Sequence, residues 1–228
     1  MKKLFVTFAL ACATALSTTA QTVVNFGQLF GVPASSEALN DPIAKGADGV
    51  ALIGDYRSNV EEGHAAGLTY TQRARYFKVA GATVKTDAAV NMVKYPSGVQ
   101  KKFEILPTKM PVNRCIQMKA ATDGKVQACA WSKKGAGRLF MGVFREGKWQ
   151  YQGEAAWDKG SNDGTEANPY APVAFDYAVQ AGDVVVIFAG SAMEVSALYF
   201  TGQVDKEFKG DDPRNLAVKK KKGSKKSK

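Results

Sequence analysis

The chain has 228 residues, 45% hydrophobic and 10% aromatic, a composition that excludes a disordered polymer and leaves one large β domain or two small ones with ample surface to bury. Its formal charge of +10 sits at the ends: two lysines open the chain, seven lie in the last ten residues, and the 22 basic residues between them face 21 acidic ones. A body at +1 gives no support to a nucleic-acid-binding domain, which carries a basic face of its own, so no sequence-specific nucleic-acid partner is expected.

Residues 1–20 read as an export leader: Lys2-Lys3, an apolar run over 4–16, then Thr18-Thr19-Ala20, with cleavage expected after Ala20 and Gln21 left first. The run is shorter than the roughly 18 to 20 apolar residues a membrane span needs. A lipid anchor on Cys12 fails because the apolar stretch before it is too short and Ala9 stands three residues upstream. The mature protein is therefore expected to be secreted, periplasmic or associated with the cell surface, and no transmembrane segment is expected.

From Gln21 onward the apolar residues repeat with period two. Candidate strands are 22–30, 49–54, 70–80, 89–95, 101–106, 114–120, 125–131, 138–144, 148–152, 173–179, 183–189 and 194–201. The only histidine, His64, falls in a loop composition, EEGHAAG, ahead of the third of these. Further along, RCIQMKA, TDG and KVQACAW read as two strands about a Gly-containing turn, with Cys115 and Cys129 on one face. With Thr122-Asp123-Gly124 as the loop the two cysteines are diagonal neighbours, roughly 7 Å apart and at the limit of a relaxed bridge; a loop one residue different makes them direct partners. Two states stay open, a disulfide or two buried free thiols. Neither cysteine has a CxxC partner and there is one histidine, so no metal or other cofactor is expected.

After 138–144, the segment KWQYQ places Trp149 and Tyr151 on one face by simple alternation, and Trp157 opens the polar loop WDKGSNDGTEANPY, closed by Tyr170. Exposed aromatic rings beside amides and carboxylates are what a sandwich uses to hold sugar rings. Trp149, Tyr151, Trp157, Asp158, Asn162 and Tyr170 are accordingly the candidate ligand-binding residues, weighed against the ordinary fate of a Trp as core. The same loop offers Asp158, Asn162, Asp163 and Glu166 as oxygen ligands, but it departs from an EF-hand, with Asp163 at the glycine position and Pro169 at the bidentate Glu position. The chain closes on KKKKGSKKSK; Lys219, Lys220, Lys221, Lys222, Lys225, Lys226 and Lys228 form a tail over 209–228 that cannot bury apolar surface and suits anionic surface polymers.

About twelve short strands, several apolar on both faces and separated by turns such as Tyr95-Pro96-Ser97-Gly98 and Ala181-Gly182-Asp183, predict an all-β chain. The expected fold is an antiparallel β-sandwich of jelly-roll type over 21–208. No short repeat supports the rival, a parallel β-helix. The order RCIQMKA, GKVQACAW, GRLFMGVF, a long loop, AGDVVVIFAGS and VSALYFTG resembles the C-terminal half of the jelly-roll, carbohydrate-binding-module-like domains of secreted Bacteroidetes proteins, across 114–202. That resemblance implies a poly- or oligosaccharide partner. Domains of this kind are often appended to polysaccharide-degrading enzymes, whereas here the leader runs almost directly into the sandwich.

Catalytic motifs have little support in the chain. YFKVAG, 76–81, is superficially similar to a strand of jelly-roll alginate lyases, and His64, Tyr70, Arg73 and Arg75 are the residues a lyase would need as base and carboxylate neutraliser. The family's Gln-Xaa-His strand is missing, and Arg73 and Arg75 fit solvent-facing positions of an amphipathic strand. Glu61-Glu62 adjoin in a loop with no opposed partner, and no GxSxG, HExxH or P-loop occurs. The expectation is a non-catalytic binding or scaffolding protein, with a lyase or a structural envelope protein as the alternatives.

Overall fold

Strands apolar on both faces need cover on both sides, and the chain supplies it with two packed sheets and additional cover outside them. The structure, a computed structural model, describes residues 21–55, 68–92 and 114–212. Along the chain come β1 (Thr22–Asn25), helix α1 (Phe26–Phe30), β2 (Glu37–Ala38), β3 (Lys45–Ala47), β4 (Val50–Ile53), β5 (Thr69–Val79) and β6 (Ala82–Met92). There follow β7 (Cys115–Lys119), β8 (Gly124–Trp131), β9 (Ala136–Arg145), β10 (Lys148–Asp158), β11 (Val173–Val179), β12 (Val184–Ala189) and β13 (Met193–Phe200). The first sheet has the order β11-β8-β13-β6-β5-β2, with β1 also on β13; the second has β10-β9-β12-β7-β4-β3.

The winding is that of a jelly roll. The hairpin β9–β10 is the tip of a folded double strand whose successive rungs are β8 with β11, β7 with β12 and β6 with β13, all antiparallel. Rolling that double strand up sends alternate rungs to opposite sheets and creates the further pairs β9–β12 and β8–β13. Between the sheets lie rows such as Val50, Met118, Val185 and Val143, and Leu52, Ile116, Ile187 and Met141, all buried. The all-β sandwich expected from the sequence is thus the fold observed.

Three local expectations are corrected. The strand expected over 22–30 stops at Asn25, whose side chain accepts the Gly27 amide at 3.0 Å and donates to the Lys85 carbonyl at 2.8 Å, capping α1. The two cysteine strands do not form a hairpin: β7 lies in the second sheet, where Cys115 pairs with Ile53, and β8 in the first, where Cys129 pairs with Ala197. Their connection crosses the core, because Ile116 and Met118 on one arm and Val126 and Ala128 on the other are buried from opposite sheets. Both cysteines are therefore free and buried, and the disulfide is not formed. Burial pushes the Cys129 thiol up to about 12 and the Cys115 thiol higher still, so both stay protonated. Finally, Trp149 and Tyr151 do not share a face: a bulge between them in the β9–β10 register places Trp149 opposite Phe144 and Tyr151 opposite Val143. The candidate strand 101–106 and His64 lie outside the described residues.

The sandwich has two long mouths where edge strands of different sheets meet. At one, Glu37 of β2 bridges to Lys45 of β3 at 2.8 Å. At the other, Tyr151 of β10 and Tyr177 of β11 stack with ring centroids 4.3 Å apart. After β13, residues 203–212 form a strap across the outer side of the second sheet. Gln117 holds it with two hydrogen bonds to the Asp211 backbone, both 2.8 Å, Phe208 accepts the Gly49 amide at 2.9 Å, and Asp205 pairs with Lys119 at 2.7 Å.

Candidate functional site

Jelly-roll winding gathers the β8–β9 turn, the β10–β11 loop and the β12–β13 turn at one end of the sandwich, where loops on a rigid scaffold can carry function. Backbone hydrogen bonds tie them together. Lys159 donates to the Gly135 carbonyl at 2.8 Å, Gly190 to the Arg138 carbonyl at 2.9 Å, and the Arg138 amide to Ser191 Oγ at 2.9 Å. The β10–β11 loop also docks on β5: Tyr76 donates to Gly164 at 3.0 Å, Lys78 to Tyr170 at 2.8 Å, and Tyr170 back to Tyr76 at 2.9 Å.

At this end one acidic side chain is planted in a strand whose residues are all buried. Glu194, second residue of β13, has Trp131 of β8 and Asn91 of β6 as its cross-strand neighbours. Its side chain is only 5% exposed, yet two cations approach it: Arg73 Nε lies 3.2 Å from one carboxylate oxygen and Lys133 Nζ 3.6 Å from the other. Arg73 and Arg75 both leave β5 where its register with β6 is broken by a bulge between Gln72 and Arg75. The Arg75 guanidinium carbon sits 5.3 Å above the Trp131 ring, a cation–π contact, while its aliphatic stem passes Gly164 so closely that any Cβ there would strike it and the Tyr170 ring.

Two buried donors in this cluster have no hydrogen-bond partner, Arg75 Nε and Trp131 Nε1, and Glu194 Oε2 has only the Arg73 guanidinium beside it. The Arg73 contact to Glu194 is an ion pair without hydrogen-bond alignment. Buried polar atoms are almost always satisfied, so two donors left over beside a carboxylate and two cations mark a place suited to a ligand rich in hydroxyls. Beneath them runs a chain of aromatic contacts, Trp131 to Phe77 at 6.1 Å, Phe77 to Tyr170 at 6.0 Å and Tyr170 to Trp157 at 5.3 Å, which makes the floor rigid.

The candidate residues from the sequence fall into different places. Trp157 and Tyr170, 4% and 6% exposed, belong to that floor and present no open ring face; Trp149, 7% exposed, packs edge-on against Phe144 at 5.2 Å. Tyr151 is half-buried on Tyr177 at the far mouth. Asp158 ends β10 and Asn162 lies on the loop after it, but Asp158 is spent on its own turn, accepting the Gly160 amide at 2.9 Å. Asp163 likewise accepts the Thr165 hydroxyl and amide, and these two bonds, the hydroxyl first, hold its carboxyl below the usual range. Tyr70 is fully buried with its hydroxyl against the carbonyls of Phe26 and Gly31, and burial, aided by the charge of Glu37, pushes its pKa up. Arg73 and Arg75 are only in part the solvent-facing residues expected: the Arg73 side chain is 40% exposed, yet both reach into the cluster. Glu61, Glu62 and the lysines of the tail lie outside the described residues. Glu194 escaped notice in the sequence, although a lone acid in MEVSALYF was the available signal.

No protein-family model matches the chain, and no curated protein matches it. Among solved structures it is similar to an isomalto-dextranase of Arthrobacter globiformis T6 complexed with panose, with 8% sequence identity and a TM-score of 0.25 over 80% of this chain and 32% of that one. The chain thus spans about a third of that protein's length. That protein is named as an enzyme, so the expectation of a chain that is no enzyme is withdrawn, and a likeness at this TM-score assigns no activity in its place.

Proposed function

We propose that the chain associates with a poly- or oligosaccharide at the loop end of the sandwich, through Glu194, Arg73, Arg75 and Lys133. The observation that carries this reading is the polar cluster itself: the Glu194 carboxylate between Arg73 and Lys133, beside two buried donors without a hydrogen bond, Arg75 Nε and Trp131 Nε1. A sugar presents donors and acceptors on neighbouring carbons, so vicinal hydroxyls can satisfy a carboxylate and an arginine together while the backbone of the site stays as it is. The resemblance to carbohydrate-binding-module-like domains and the export leader fit a protein that meets glycans outside the cytoplasm.

The test is isothermal titration against a panel of soluble neutral and acidic polysaccharides, with products analysed in the same samples. A hydrogen bond to a charged group contributes about 1.5 to 3 kcal/mol, so Glu194→Gln and Arg73→Ala should each weaken binding by about tenfold or more while circular dichroism stays unchanged. Binding that survives both substitutions would move the site elsewhere, and a panel with no ligand at all would remove the function.

A further inference from the structure

We propose that Tyr151 and Tyr177 form an oxidative cross-linking site, at which a peroxide-driven one-electron oxidant joins the two rings as dityrosine and staples one sheet of the sandwich to the other. The two rings come from the edge strands of different sheets, β10 and β11, which are not paired to each other. Their centroids are 4.3 Å apart at an interplanar angle of 17°, so ring carbons of the two residues are already in van der Waals contact. Both side chains are half-buried, which leaves an edge of each open to an oxidant. Gly153 makes the arrangement possible, since a Cβ there would overlap the Tyr151 hydroxyl that lies along the strand.

The chemistry balances. Each phenol gives up one electron and one proton, and the two resulting radicals join carbon to carbon at positions ortho to oxygen. The ring hydrogens then shift to the oxygens to restore both phenols. One C–C bond replaces two C–H bonds, and the two electrons and two protons reduce one hydrogen peroxide to two waters. Burial and the nearby Asp176 carboxylate push the Tyr151 phenol up, so it is oxidised from the neutral form with its proton leaving to water. The rings must slide from face-to-face to edge-to-edge for the bond to close, a movement open to half-exposed side chains on edge strands.

The experiment treats the full-length protein with a haem peroxidase and substoichiometric peroxide. The expected product is a monomer two hydrogen atoms lighter, with dityrosine fluorescence and a tryptic cross-link joining residues 149–159 to 160–206. Tyr151→Phe and Tyr177→Phe keep the stack but remove one phenol each, and either should abolish the intramolecular product. The Tyr177 variant separates it from Tyr170 and Tyr199, which share its peptide and are buried. No dityrosine, dityrosine only between chains, or a monomeric cross-link that persists in both variants would overturn the proposal.

Discussion

Arg114 shows how one residue can carry a cost and its compensation together. It holds a left-handed backbone, φ 55°, which costs a non-glycine residue about 1 kcal/mol, and its Nε sits 2.5 Å from the carboxylate of Asp55, a fully buried acid. Removing the cation takes a close countercharge from that buried carboxylate, so Arg114→Ala should lower unfolding free energy by about 1 to 3 kcal/mol in urea. Arg114→Gly loses the same ion pair but relieves the backbone, and should be about 1 kcal/mol less damaging. Equal losses would show that the backbone is not strained. The two thiols make a second test. Burial favours the neutral thiol, so the native state binds the proton of Cys129 more tightly than the unfolded chain does, with a pKa raised from 9.0 to about 12. That contribution is intact below about pH 9 and is lost progressively as pH rises toward 12, because only the unfolded chain gains from ionising. The urea midpoint should therefore fall between about pH 9 and pH 12, and fall less in a variant with both cysteines replaced by alanine. Native protein should alkylate at Cys115 and Cys129 only as fast as it opens.

Among the elements, the strap over 203–212 is the one whose seating can be probed most directly. A Cβ at Gly46 would overlap the Lys209 carbonyl, a backbone atom that cannot swing aside, so Gly46→Ala has to lift the strap or bend β3. The expected cost is about 1 to 3 kcal/mol, with loss of hydrogen-exchange protection at the Asp205 and Asp211 amides while the β9–β12 amides stay protected. Protection unchanged at Asp205 and Asp211 would mean that the close approach is not structural. Strand existence was readable because period-two patterning is local: RLFMGVF and AGDVVVIFA stand where expected as β9 and β12. Pairing was not, because the partner of a jelly-roll strand is set by how a long double strand rolls up, and the hairpin drawn through Cys115 and Cys129 was instead a crossing between sheets. One inserted residue between Trp149 and Tyr151 sent the two rings to opposite faces, and alternation alone carries no sign of a bulge. The cluster around Glu194 was hidden for the same reason: β5, β8 and β13 contribute one or two residues each from distant parts of the chain, and only the sandwich brings Arg73, Trp131 and Glu194 together.

At the scale of the whole molecule the charge is divided between a body and a tail. Among the described residues the buried acids of the body have cations beside them: Asp183 accepts two hydrogen bonds from Arg145, at 2.5 and 2.8 Å, and Glu194 has Arg73 and Lys133. The bond to Asp183, partly opposed by desolvation, holds Arg145 more firmly protonated than usual. Between Gln21 and Val218 the count is 22 basic against 21 acidic residues, while seven lysines and no acid lie in 219–228. Affinity for anionic polymers should therefore reside in Lys219 to Lys228, and affinity for glycans in the sandwich. The two are separable by salt. Lysines meet phosphates or sulfates by releasing counterions, so on duplex DNA the log–log salt slope should reach a magnitude of at most about 6 if all seven engage. Hydrogen bonding to sugar hydroxyls releases no counterions and should change little over the same range. Truncation after Val218 should abolish the steep term in a titration of heparin or DNA at two ionic strengths and leave polysaccharide binding by the Glu194 cluster within about twofold. If the truncated protein binds heparin as tightly as the full chain, Arg73, Arg75 and Lys133 form a basic patch that the net charge of the body conceals, and the glycan held at that end is an acidic one.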